Sequence, residues 1–220
     1  MRYVPATIPD EVDTLLLDLD GTLLDLAFDN RFWRLVVPEA YGAMHGLSVQ
    51  QALDEIMPRL AAVEGTLPWY CLDHWSRVLD MDLSLLKTEH AGFVAWLPGA
   101  QDFLRRQRAA GRRLVLATNS HPETLRIKVE QTRVTDYLDV AYSSHVFGAP
   151  KEDPRFWQGF QAIEPFDPRR TAFLDDNLTV LQAGRDAGIA HLIAITRPDT
   201  SMPEKAPPAQ FAWARAVADL

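Results

Sequence analysis

Asp18 and Asp20 are the side chains best placed to do chemistry. They lie two residues apart in Asp18-Leu19-Asp20-Gly21-Thr22-Leu23. The segment stands directly behind Thr14-Leu15-Leu16-Leu17, an apolar run that reads as a buried strand. A strand sends residues i and i+2 to the same side. Both carboxylates can therefore face one pocket at the carboxyl edge of a sheet, where ligands of open α/β folds bind. Acids this close repel one another unless a cation or a shared proton intervenes. The pair suits a divalent metal combined with acid/base work. Asp and Gly are also ordinary turn residues, so the hexapeptide alone fits a plain strand-end turn as well.

Three further stretches follow in order. Arg113-Leu114-Val115-Leu116-Ala117 is a second apolar run and ends in Thr118-Asn119-Ser120. Lys151 follows the loop Phe147-Gly148-Ala149-Pro150, and Thr171-Ala172-Phe173-Leu174 runs into Asp175-Asp176-Asn177. Taken singly, Thr118-Asn119-Ser120 reads as a capping turn before Pro122, Lys151 as a solvated charge, and the adjacent aspartates as a helix cap. Taken together and in this order, the four stretches resemble the motifs of the haloacid dehalogenase-like hydrolase superfamily.

The resemblance implies roles. Asp18 matches the nucleophile that forms an aspartyl-phosphate. Asp20 matches the general acid that protonates the leaving alkoxide and then, as a base, activates water. Haloacid dehalogenases expel a halide that needs no proton and lack this second Asp, so Asp20 points to phosphoryl transfer. Thr118 matches the phosphate-binding hydroxyl, and the Asn119 backbone amide can add a donor. Lys151 matches the fixed cation that screens nucleophile from phosphate and stabilises the transition state. The family commonly continues Lys-Pro-x-Pro; here the chain reads Lys151-Glu152-Asp153-Pro154, a change expected to alter helix entry rather than chemistry. Asp176 as direct ligand and Asp175 as direct or indirect ligand, with Asp18 and the Asp20 carbonyl, offer hard oxygen donors that favour Mg²⁺.

These residues need a frame. After Pro98-Gly99 helices and strands alternate: a helix over 100–110, a strand over 113–117, a helix from Pro122 to about Gln131 and a short strand from Leu138 to Tyr142. A helix over Pro154–Ile163, a strand over Thr171–Leu174, a helix capped by Asn177 and reaching about Ala187, and a strand over Ala190–Thr196 complete the series. That alternation predicts an α/β fold with a parallel sheet. The Pro-rich stretch Pro198–Pro208 reads as a surface loop before a short terminal helix.

Residues 25–97 contain no convincing strand. Ser48-Val49-Gln50-Gln51 is a capping-box pattern, followed by Val49, Leu53, Ile56, Met57 and Leu60 at helical spacing. Pro58 is expected to kink that helix, and residues 30–45 and 70–80 also read as helical. The division is thus a Rossmann-like parallel-sheet core, 1–24 and 98–220, with a helical insert, 25–97, between its first and second strands. In the superfamily an insert at this point is a cap over the catalytic pocket; the plain alternative is a packing layer.

Composition sets bounds. The chain has 220 residues, 47% of them hydrophobic, enough for a sizeable core. A net charge of -8 and the lack of any Lys/Arg-rich run argue against nucleic-acid or anionic-membrane partners. Cys71 is the one cysteine, which rules out an intrachain disulfide and fits a reducing cytoplasm. No apolar stretch approaches the roughly 20 residues of a membrane span, and Met1–Pro9 lacks the pattern of a signal peptide. No Gly-rich dinucleotide or P-loop motif occurs.

Substrate choice must come from the insert. Asp25-Leu26-Ala27-Phe28-Asp29-Asn30-Arg31-Phe32-Trp33 and Trp69-Tyr70-Cys71-Leu72-Asp73-His74-Trp75, with the stretches around Thr118 and Lys151, resemble the bacterial GMP/IMP nucleotidases of the superfamily. The resemblance implies a small phosphorylated metabolite, a purine nucleoside monophosphate, as partner. Asn30, Arg34, Tyr70 and His121 are the candidate substrate contacts. Aromatic residues at this spacing also suit the insert's own core. A sugar-phosphate phosphatase, a phosphomutase and a non-catalytic binding protein on the same fold are the competing readings.

Overall fold

In the structure, a computed structural model, residues 6–220 are described. The first five residues lie outside them, and with them the start of the stretch read above for a targeting signal and of the 1–24 core segment. The strand behind the DxD segment, β1 (Thr14–Leu17), is buried along its whole length. Its alternating side chains feed two separate cores. Leu15 and Leu17 pack on one face with Phe103, Leu104, Leu114 and Leu116. Leu16 packs on the other with Phe156, Trp157, Phe160 and Phe173. Burial on both faces is what a parallel strand between two helical layers requires.

The chain then turns at Gly21, whose φ of 90° is open to glycine and strained for other residues. Helices follow: α1 (Ala27–Arg31), a π turn over Phe32–Val36, α2 (Val37–His45), α3 (Val49–Ala61), α4 (Leu67–Tyr70), α5 (Leu72–Leu79) and α6 (Leu83–Glu89). They enclose a third core of their own, built on Phe32, Val37, Ile56, Leu60, Trp75 and Leu83. Ser48 caps α3 through the expected reciprocal box with Gln51. The inward stripe of α3 is Ala52, Ile56 and Leu60; Val49 is exposed, and the helix runs through Pro58 without ending there. The two connections to this helical unit run side by side, with Asp25 N–H bonded to Ala95 O and Leu97 N–H to Leu23 O, each at 2.9 Å.

The remaining elements alternate: α7 (Ala100–Ala109), β2 (Arg113–Thr118), α8 (Pro122–Thr132), β3 (Val140–Ser143), α9 (Pro154–Ile163), β4 (Thr171–Asp175), α10 (Leu178–Asp186), β5 (His191–Ile195) and β6 (Ala212–Ala214). These six strands pair in parallel, in the order β3-β2-β1-β4-β5-β6. β1 lies between β2 and β4, so the segments after β1, β2 and β4 leave the sheet on adjacent strands. This is the α/β fold expected of the sequence.

Two expectations need correction. The chain after the Pro-rich stretch forms β6, followed by a single 3₁₀ turn over Val217–Asp219, in place of a terminal helix. β6 pairs with β5 at Ile193–Ala212 through Ile195–Ala214, so the sheet edge and not local propensity decides its conformation. The third strand begins at Val140 rather than Leu138, because Val134–Tyr137 closes a 3₁₀ turn first. No helix among the described residues is long and apolar enough to cross a membrane.

Candidate active site

β1, β2 and β4 deliver their carboxyl-end residues into one cavity of about 830 Å³, closed on the far side by α1, α3 and α4 of the helical unit. Asp18, Asp20, Thr118, Asn119, Lys151, Asp175 and Asp176 all line it, and so do Asn30, Arg34, Tyr70 and His121. Residues from four separate stretches of sequence thus meet because their strands are neighbours.

At the floor, buried Lys151 donates from Nζ to Asp18 Oδ1 at 2.5 Å and to Asp175 Oδ2 at 2.7 Å. Burial alone would lower the Lys151 ammonium, but Asp175 and Asp18 outweigh it and hold the group above its ordinary value. The carboxylates move the other way. Burial raises Asp18 to about 7; Lys151 opposes the shift, and Asp175 and Asp20 add to it. Burial likewise raises Asp175 to about 6, against Lys151 and with Asp176. Asp176 is raised by burial despite Lys205, whose Nζ donates to its Oδ2 at 2.7 Å.

This floor fits a cation. Asp18, Asp175 and Asp176 each present a carboxylate oxygen within 4.8 Å of the other two. Hard anionic oxygens crowded out of water are the donor set that Mg²⁺-type ions take. The turn makes room for them: a Cβ on Gly21 would stand 2.8 Å from Asp176 Cγ and 2.8 Å from Pro198 Cβ. The fourth stretch does not cap its helix through the aspartates. Asn177 Oδ1 caps α10 by accepting from Thr179 N–H at 2.9 Å, and Asp175 Oδ1 accepts from Asn177 N–H at 2.8 Å.

Asp20 stands apart from this cluster in its own polar cradle. Ser120 Oγ donates to its Oδ2 and Lys128 Nζ to its Oδ1, both at 2.6 Å. Lys128 also donates to Asp29, which accepts from Lys87 Nζ at 2.7 Å. Two lysines and two aspartates therefore form an alternating chain from the helical unit to Asp20. Burial would raise the Asp29 carboxyl, but Lys128 and Lys87 hold it well below the carboxylate range. Burial would lower Lys128, but Asp20 and Asp29 keep it raised.

Sequence reading missed Asp29, Lys87 and Lys128, yet a signal existed. Thr124, Ile127, Lys128 and Thr132 form the buried stripe of α8, and Leu83 and Lys87 that of α6. A lysine on an inward stripe demands a partner. Lys128→Met should therefore leave Asp29 and Asp20 short of a shared cation and cost about 3–5 kcal/mol of stability. Urea unfolding measures this; a shift in stability within about 0.5 kcal/mol, the range of ordinary surface changes, would mean that the chain of charges carries no structural weight.

Other polar atoms tie the second and third stretches together. Asn119 Oδ1 accepts from Lys151 N–H at 2.9 Å, and Asn119 Nδ2 donates to Glu152 Oε2 at 2.9 Å. Glu152 Oε1 accepts from Tyr70 Oη at 2.5 Å, linking the helical unit to the sheet. Burial, then Glu152, pushes the Tyr70 hydroxyl well above its ordinary value. Asp153 caps α9 by accepting from Arg155 N–H at 2.8 Å, with Pro154 opening the helix, so the altered third motif keeps a regular helix entry.

The expected substrate contacts sit in the cavity wall, and Asn30, Tyr70 and His121 have their polar groups engaged. Asn30 Nδ2 donates to Asp199 Oδ2 at 2.6 Å. His121 caps α8, its Nδ1 accepting from Glu123 N–H at 3.3 Å. Arg34 is exposed at the rim. Trp33 and Trp69, half-buried, add aromatic surface to the same wall.

Comparison with known proteins gives a consistent picture. Residues 12–188 match the model of the haloacid dehalogenase-like hydrolases. The chain is 41% identical over 195 residues to the GMP/IMP nucleotidase YrfG of Escherichia coli, covering 89% of this chain and 88% of the relative. A HAD phosphatase from Thermococcus onnurineus superposes with a TM-score of 0.79 at 19% identity, covering 94% of each chain. The HAD-hydrolase YfnB of Bacillus subtilis, in a magnesium-bound structure, superposes with a TM-score of 0.64 at 18% identity, covering 94% of this chain and 95% of that one.

Proposed function

The chain belongs to the haloacid dehalogenase-like hydrolases, and on that premise we propose a purine 5′-nucleotidase that hydrolyses IMP and GMP through a phosphorylated Asp18. It is a phosphatase of that family. The observation that carries the reading is the second carboxylate: Asp20 shares a cavity with Asp18 and is held on both oxygens, at 2.6 Å, by Ser120 and Lys128. The 41% identity to a GMP/IMP nucleotidase supports the purine preference.

Asp18 attacks phosphorus, the ester P–O bond breaks, and Asp20 gives its proton to the departing 5′-oxygen. Asp20 then takes a proton from water, which attacks the aspartyl-phosphate and frees inorganic phosphate and Asp18. Lys151, released from its contacts with Asp18 and Asp175, offsets charge on the phosphoryl oxygens. Thr118 Oγ1 and the Asn119 backbone amide donate to the same oxygens. Asp18, the Asp20 carbonyl, Asp176 and Asp175 would hold Mg²⁺, which supplies charge neutralisation to this carboxylate-rich floor. The helical unit, 25–97, acts as the cap over it.

Two outcomes follow. Exhaustive chelation should abolish phosphate release, with Mg²⁺ restoring it and Ca²⁺ doing so poorly, because Ca²⁺ takes more ligands in looser geometry; undiminished activity in chelator would reject the metal. In a panel of phosphate esters, IMP and GMP should exceed AMP, UMP and a hexose phosphate in kcat/KM. The floor meets the same phosphoryl group in every ester, so selectivity must come from the wall. A 6-oxo purine and AMP differ at the base edge, and an unmatched buried polar group is costly. Asn30→Ala and Tyr70→Ala should each lower turnover of IMP more than of a small base-free ester. Equal rates across the panel would leave a general phosphatase, and equal effects of the variants on both esters would restrict Asn30 and Tyr70 to holding the cap.

A further inference from the structure

We infer that Cys71, His121 and His145 form a second metal site, distinct from the acidic floor and selective for a borderline-soft cation of the Zn²⁺ type. The three come from different parts of the fold. Cys71 lies between α4 and α5 in the helical unit; His121 follows β2 and opens α8; His145 lies in the 3₁₀ turn after β3. β2 and β3 are adjacent strands, which brings the two imidazoles together with ring centroids 4.9 Å apart at 87°. One ligand atom from each of the three residues lies within 4.8 Å of the other two.

The polar bookkeeping at this cluster is incomplete. His145 Nδ1 faces Ser143 Oγ at 3.3 Å, but its Nε2 is buried and has no hydrogen-bond partner. A buried orphan nitrogen is costly unless something fills its place. His121 has Nδ1 on the Glu123 amide at 3.3 Å and Nε2 3.6 Å from Asp73 Oδ2. A metal takes one of these nitrogens in exchange for a long, weak contact. Cys71 Sγ accepts only the His74 amide, at 3.4 Å, among the contacts found for it.

Zn–S and Zn–N bonds of about 2.3 and 2.0–2.1 Å require these atoms to draw in by roughly 1 Å, a movement that side-chain rotation supplies. One thiolate and two imidazoles select Zn²⁺ or Co²⁺ over Mg²⁺. Asp73, two residues after Cys71 and largely exposed, is the neighbouring carboxylate available to complete or orient the set. Since the thiol sits in the helical unit and the imidazoles on the sheet, the ion would pin one to the other at the cavity wall, where His121 lies. Zn²⁺ bound there should slow turnover by tying the helical unit to the sheet.

The test is Co²⁺ titration of the full chain in saturating Mg²⁺, read by the thiolate-to-cobalt charge-transfer absorption. The chain has one cysteine, so that band can arise only from Cys71. One equivalent should develop the band and Zn²⁺ should displace it. Cys71→Ser, which retains an acceptor for the α5 cap, should lose the band. His145→Gln should weaken Co²⁺ binding by about tenfold or more, with far-ultraviolet circular dichroism unchanged. Zn²⁺ should slow phosphate release in the unmodified chain and much less in Cys71→Ser. Absence of the band, or unchanged affinity in His145→Gln, overturns the site. Equal inhibition of Cys71→Ser places the inhibitory ion elsewhere and overturns the pinning role.

Discussion

Asp18→Asn is expected to abolish phosphate release from IMP, by a factor on the order of 10⁶, without unfolding the protein. Asn is nearly isosteric with Asp but cannot attack phosphorus. The two carboxylates clustered with it are engaged elsewhere: Asp175 is tied to Lys151 and to the Asn177 amide, and Asp176 to Lys205. Stability should hold or rise. Asp18 is a buried carboxyl raised to about 7 by burial and by its acidic neighbours, so the neutral amide removes a repulsive charge while Lys151 keeps Asp175 as its partner. Phosphate release and thermal unfolding, measured side by side, check both halves. An inactive variant that has also unfolded would carry no weight, and one with near-normal turnover would remove Asp18 from the nucleophile's role.

The second large effect belongs to Asp20. Asp20→Asn should lower turnover of IMP by about 10²–10⁴-fold, the range for loss of a positioned proton donor. The fold should survive, because Lys128 retains Asp29 and an amide oxygen can still accept from Ser120. The defect should depend on the leaving group. p-Nitrophenolate needs little protonation to depart, so the first step on p-nitrophenyl phosphate should be nearly normal. The second step still lacks its base, so the variant should show a burst of nitrophenol followed by slow turnover. Unimpaired hydrolysis of an alkyl phosphate would show that Asp20 is not the acid/base group.

Much of this site is legible in the chain because its key residues are the ends of apolar runs. Asp18, Thr118 and Asp175 each close or follow a strand whose hydrophobicity marks it as central, and parallel pairing of β2, β1 and β4 does the rest. Lys151 depends on its loop and is identified only through its order among the motifs. The charge chain Lys87–Asp29–Lys128–Asp20 is harder to see, because its links span sequence separations of 58, 99 and 108 residues. A lysine on a helix declares its face through periodicity but not its partner.

β6 fails for a different reason. Ala212-Trp213-Ala214 is too short to carry a period, and only the exposed edge of β5 makes it a strand. Asn30 and Tyr70 line the cavity, but their partners Asp199 and Glu152 lie in loops 169 and 82 residues further along the chain.

Trapping the phosphoryl group identifies the nucleophile. Purified protein turning over IMP with Mg²⁺ would be acid-quenched within a single turnover and reduced with borohydride, which converts an acyl-phosphate to an alcohol. Peptide mass spectrometry then reads the site. Homoserine should stand in place of Asp18, formed with IMP and GMP and suppressed when metal is chelated. Unaltered Asp18 under conditions of full turnover, or reduction at Asp20, Asp175 or Asp176 instead, would contradict it.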